Sequence, residues 1–125
     1  MVDEIIAGDV RNFIARHIDS VAQLEALLLL RANPKERWDV SMAARRLYTT
    51  EPEISDLLAG LCEDGLLSQT EGVYRYSCED PQQRALVDRL AEAYARHLIP
   101  VTNLIHSKPR RIRQFADAFK FRKDR

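Results

Sequence analysis

Apolar and polar residues alternate along this chain with mostly helical periods, broken once by a short stretch of strand period. Near the N-terminus Ile5, Ile6, Val10, Phe13, Ile14 and His17 keep one face of a helix apolar, and Asp3 and Glu4 suit its start, so the spacing predicts an amphipathic helix over residues 3–17. Asp19 or Ser20 offers an N-cap for the run from Val21, in which Leu24, Leu27, Leu28 and Leu30 form a broad buried face until Asn33-Pro34 ends it. Trp38-Asp39-Val40 reads as a short extended segment, and Ser41 as the cap of a brief helix with Met42, Ala43, Ala44 and Leu47 inward. After a turn at Thr49-Thr50, Thr50 caps a third helix with Pro52 in its first turn. Ile54, Leu57, Leu58 and Leu61 fall at i, i+3, i+4 and i+7 as its core face, and Gly65 stops it. Leu66-Leu67-Ser68 and Val73 to Tyr76 then read as two strands joined by Gln69-Thr70-Glu71-Gly72.

Asp80-Pro81 begins another helical pattern, in which Val87, Ala91, Tyr94, Leu98, Val101 and Ile105 step by four and three, the spacing of a seam that a partner helix fills. Pro100 predicts a kink or break between His97 and Val101. Beyond it Ile112, Phe115, Ala116 and Phe119 share one face among bases, which predicts a final amphipathic helix. Its basic flank also fits an anionic membrane surface or a partner's groove, but Phe115 and Phe119 share a face as ordinary docking residues do, and packing is the preferred reading. Trp38, Tyr48, Tyr74, Tyr76 and Tyr94 are assigned to packing as well.

The order helix, short strand, helix, turn, helix, hairpin resembles the winged helix-turn-helix family. The likeness is carried by Leu24 to Leu30, Trp38-Asp39-Val40, Ser41 to Tyr48, Glu51 to Asp64, the junction Glu63-Asp64-Gly65-Leu66-Leu67 and the strand Tyr74-Arg75-Tyr76. More loosely, the full length is similar to small bacterial regulators of the MarR-like type, in which added helices make the dimer. The expected fold is therefore mainly α with a small β-hairpin: a flanking dimerisation helix in 1–18, a winged helix-turn-helix core in 19–79, a second dimerisation helix, kinked near Pro100, in 80–107 and a basic amphipathic segment in 108–125. The resemblance implies a homodimeric transcriptional regulator that binds DNA, and the acidic start, which is unlike an export signal, makes the cytoplasm the expected compartment. A ligand-sensing role would need a pocket between the dimer helices and the winged core, and no sequence feature marks one.

Charge alters that expectation. The 125 residues have a net charge of zero, but Lys108 to Arg125 carries eight bases against Asp117 and Asp124, and the rest of the chain balances it. Between Glu51 and Asp64, the helix that the resemblance places in the major groove, there are five carboxylates and no Lys, Arg, Asn or Gln. Base readout relies on those missing side chains, and phosphates repel the ones present. The candidate DNA contacts are thus Arg45, Arg46, Arg75, Lys108, Arg110, Arg111 and Arg113. Against this stands a protein-interaction module or adaptor that uses the acidic helix face or the basic segment. Arg45 and Arg46 could equally pair with nearby carboxylates, and for the segment after Lys108, DNA, protein and intramolecular partners remain open.

Other chemistries find little support. Cys62 and Cys78 lack metal or redox spacing and read as reduced thiols, and His17, His97 and His106 are scattered, so no metal and no cofactor are expected. With four glycines there is no phosphate loop or nucleophile elbow, and enzymatic catalysis has no evident seat. The apolar fraction of 46% with 30% charged residues suits a globular domain, and neither an export signal nor a membrane span is expected.

Overall fold

A computed structural model describes residues 5–107, in the order α1 (Gly8–His17), α2 (Val21–Ala32), α3 (Val40–Arg46), α4 (Glu51–Glu63), β1 (Leu67–Thr70), β2 (Val73–Tyr76), α5 (Pro81–Arg96) and α6 (Leu98–Ser107). The segment 108–125, with its expected amphipathic helix, lies outside the described residues, as do Asp3 and Glu4.

Most of the helices start where a side chain can satisfy an exposed N–H. Ser20 accepts from the Gln23 N–H at 3.1 Å, while the Gln23 side chain accepts from the Asp19 N–H at 2.8 Å. This reciprocal arrangement leaves Gln23, the one polar side chain in the core among the described residues, with a function there. Thr50 caps α4 and Asp80 caps α5, as the sequence predicts. At α3 the expectation fails: Asp39, not Ser41, is the cap, accepting from the Met42 N–H at 2.7 Å. Its carboxylate is the stronger acceptor and comes earlier in the chain. Likewise α1 begins at Gly8 and not at residue 3, although Ile6 is buried ahead of it.

Leu24, Leu27 and Leu30 of α2, Ala43 and Ala44 of α3 and Ile54, Leu58 and Leu61 of α4 are buried together with Leu66. At the end of α4 the Leu66 N–H reaches the Leu61 carbonyl at 3.0 Å and the Gly65 N–H reaches Cys62 at 3.0 Å, with Gly65 at φ 79°. This is the Schellman closure, and it aims the chain into β1. The strands pair antiparallel, Leu67 with Tyr76 through to Thr70 with Val73, so the hairpin is tighter than the four-residue loop expected. Only Glu71 and Gly72 form its turn, at φ 52° and 79°, which is type I′ geometry. Trp38 joins the sheet edge by a single bridge, the Tyr74 N–H donating to its carbonyl at 2.7 Å. Glutamate is a poor occupant of a left-handed turn position that asparagine favours. Glu71→Asn is therefore expected to raise stability by about 0.5–1 kcal/mol, measured by urea denaturation.

Helices α1, α5 and α6 pack on one another beside this core. Two side chains of α2 reach α5: Arg31 donates to Asp88 at 2.9 Å, and Glu25 accepts from the Tyr94 hydroxyl at 2.9 Å, so the two helices run antiparallel. The break that Pro100 predicts falls at His97 (φ −133°, ψ 58°). There the His97 N–H closes α5 on Ala93 at 2.7 Å and its carbonyl opens α6 by accepting from Val101 at 3.1 Å. Pro100 thus becomes the third residue of α6, where a missing N–H costs nothing.

Candidate nucleic-acid interface

The winged helix brings α3, the α3–α4 turn, α4 and the β1–β2 wing together as one potential contact surface. On α4 the face opposite the core presents Glu53, Asp56, Ala59 and Glu63, all exposed, and Glu51 and Pro52 are exposed in its first turn. Glu51 and Glu53 favour the helix N-terminus through its dipole. Four of the five carboxylates read from the sequence, Glu51, Glu53, Asp56 and Glu63, are therefore on the surface with no ion pair to a described base, while the fifth, Asp64, is half-buried and lies 3.0 Å from His17 Nδ1.

The candidate bases have different settings. Arg45 and Arg46 are exposed in the last turn of α3, and Arg75 is exposed on β2, opposite Ser68. Arg46 lies over the Trp38 ring at 5.3 Å, a cation–π contact, and not against a carboxylate. Trp38 bridges to Tyr74, so Arg46 lies beside the edge of the wing, whereas Arg75, the next residue on β2, points to the opposite face of the hairpin. Lys108, Arg110, Arg111 and Arg113 lie outside the described residues.

Tyr48, which the sequence assigns to packing, is 96% exposed at the turn between α3 and α4. The sequence gives no warning of this, because the other tyrosines do pack: Tyr74 is 6% exposed, and Tyr76 and Tyr94 are half-buried.

The six residues read as a partner seam do not share one surface. Val87, Val101 and Ile105 are fully buried within the chain itself, Ala91 and Tyr94 are half-buried, and Leu98 is 49% exposed. The break at His97 turns α6 so that part of the repeat packs inward. What remains outside is Leu98 with Ile99 and Ile5, beside a groove of about 390 Å³ lined by Ile6, Ile99, Pro100, Leu104 and Arg11.

Three side-chain pairs tie the flanking helices to the winged core, Arg31 with Asp88, Glu25 with Tyr94 and His17 Nδ1 with the Asp64 carboxylate at 3.0 Å, and burial perturbs two tyrosines beside them. Burial pushes the Tyr76 phenol up to about 12, with Cys78 and Asp88 adding to it and Arg31 and Arg84 opposing. Burial, then the hydrogen bond to Glu25, does the same for Tyr94. The Tyr76 hydroxyl is buried with no hydrogen-bond partner. In the unfolded chain both phenols ionise near 10, so between pH 10 and 12 the unfolded state holds fewer protons than the native one. Stability is therefore expected to fall as pH rises through that window, by urea midpoints at pH 9.5, 11 and 12, and Tyr76→Phe/Tyr94→Phe should flatten the decline. The Cys62 and Cys78 thiols are free and both are raised by burial, which keeps them protonated. Among the described residues no cluster of His, Cys, Asp or Glu could hold a metal, and no helix is long and apolar enough to cross a membrane.

A solved MarR family transcriptional regulator from Silicibacter pomeroyi superposes on 98% of this chain and 86% of its own, with a TM-score of 0.53 and 17% sequence identity. The winged-helix fold with its flanking helices is thus shared with a MarR-type structure. No protein-family model matches the chain, and no curated protein is similar to it in sequence.

Proposed function

We propose that this protein is a winged-helix DNA-binding regulator that acts as a homodimer and holds the sugar-phosphate backbone instead of reading bases with α4. The observation that supports this reading most is that Arg45 and Arg46 in the last turn of α3 and Arg75 on β2 are exposed, with none of the three in an ion pair among the described residues. Phosphate contacts of this kind fix a protein on a duplex without specifying sequence. The basic group Lys108, Arg110, Arg111 and Arg113 follows α6 directly and adds charge of the same sign. Dimerisation is assigned to the outer surface of the flanking helices, where Leu98, Ile99 and Ile5 leave apolar area exposed. The fold shared with a MarR family regulator is in keeping with a cytoplasmic regulator.

A second reading rests on α4 itself. Its exposed carboxylates suit a basic protein partner better than a phosphate backbone, which would make the chain a winged-helix adaptor. Fluorescence anisotropy with a labelled random-sequence duplex separates the two, comparing the wild type, Arg45→Ala and Arg110→Glu/Arg111→Glu. Micromolar binding that both variants weaken is the expected outcome; absence of binding in low salt would favour the adaptor.

A further inference from the structure

The helices α3 and α4 end in the same hydrogen-bonded closure, built from different residues. After α4 the left-handed position is Gly65, at φ 79°. After α3 the Thr49 N–H reaches the Ala44 carbonyl at 3.0 Å and the Tyr48 N–H reaches Arg45 at 3.4 Å, which places Tyr48 in that position at φ 57°. A Cβ and a bulky ring make this conformation unfavourable, and glycine is the usual occupant. Tyr48 receives nothing in return from packing, since it is 96% exposed. A strained and solvated aromatic side chain is the kind of backbone outlier that a contact outside the chain explains.

We infer that Tyr48 is a contact residue of the nucleic-acid interface, its phenol donating a hydrogen bond to a backbone phosphate beside the Arg45 guanidinium. The inference rests on the DNA-binding reading above and deepens it. Arg45 and Tyr48 lie three residues apart in the closing turn of α3, both exposed, and the Arg45 carbonyl accepts the Tyr48 N–H. Glu51 and Glu53 follow in the first turn of α4 and repel phosphate. A neutral donor suits that setting, because it satisfies a phosphate oxygen while adding no requirement for a favourable field, and Tyr is among the side chains that make such contacts. The side chain therefore marks where the duplex edge meets the turn when α4 does not enter the groove.

The test compares full-length wild type, Tyr48→Gly, Tyr48→Phe and Arg45→Ala for thermal unfolding and for anisotropy against a labelled random duplex over a salt series. Glycine relieves the left-handed position, so Tyr48→Gly should unfold about 3–5 °C higher while its dissociation constant rises roughly tenfold. Tyr48→Phe should weaken binding several-fold without that increase in stability. Neither should alter the salt slope, whereas Arg45→Ala should reduce it by about 1. Wild-type-like binding by Tyr48→Gly, with Arg45→Ala weakened, would overturn the role of Tyr48 alone. No binding by the wild type at low salt would overturn it together with the DNA-binding reading.

Discussion

Replacing Trp38 with alanine is expected to lower stability by about 3–5 kcal/mol, enough to leave a domain of ordinary stability close to unfolding. The ring is 1% exposed, and its removal affects several elements together. Its Nε1–H donates to the Asn33 carbonyl at 3.1 Å, which closes the end of α2, and its face carries Arg46 of α3. Its own carbonyl accepts from Tyr74, which holds the wing to the helices. The alanine variant keeps that backbone bond but leaves a cavity around it, so the wing loses its support. Trp38→Phe keeps most of the apolar contact and leaves the Asn33 carbonyl without its indole donor, for an expected loss of about 1–3 kcal/mol. Circular dichroism in urea measures both variants, because Trp38 is the only tryptophan and its fluorescence is lost with it. A loss below about 1 kcal/mol for Trp38→Ala would show that the helix–wing junction is held elsewhere.

Reversing charge on α4 is expected to strengthen DNA binding by a large factor at a modest cost in stability. In Glu53→Lys/Asp56→Lys neither carboxylate is in a described ion pair and neither side chain belongs to the core, so the loss should be about 1–2 kcal/mol at most, chiefly from a cation in the first turn of α4. For DNA the exchange removes two repulsive charges and supplies two cations on the helix that follows the proposed contact turn. Each added phosphate interaction raises the salt slope by about 0.9 and the affinity roughly tenfold near 0.1 M salt, so non-specific binding is expected to tighten about 10–100-fold. Anisotropy against the random duplex measures it. An unchanged affinity would place α4 away from the DNA and would favour the acidic face as a protein-binding surface.

The winged core is legible in the sequence because its signals there are local and agree with one another. Ile54, Leu57, Leu58 and Leu61 mark one face of α4, Thr50 its start and Gly65 its end, and all three hold in the structure. The outward placement of the α4 carboxylates follows from the same spacing. Where competing caps stand close together, as with Asp39 and Ser41, residue type alone does not choose between them. The tight turn at Glu71-Gly72 is hidden because a glutamate in a left-handed conformation has no compositional signature. The apolar repeat from Val87 to Ile105 is misleading as a single surface. Periodicity reports that a face is covered, but not whether the cover is another chain or α1 of the same one. Tyr48 escapes a sequence reading for a related reason, since tyrosine occurs both in cores and at interfaces and only its exposure and φ separate the two.

Hydrogen–deuterium exchange of the full-length protein in low salt, with and without excess random duplex, tests the DNA-facing surface most directly. Slowed exchange is expected at residues 45–50, where the α3–α4 turn lies, and at residues 69–75 of the wing, with the outer face of α6 unchanged. Protection absent from both the turn and the wing, or confined to α1 and α6, would contradict that expectation.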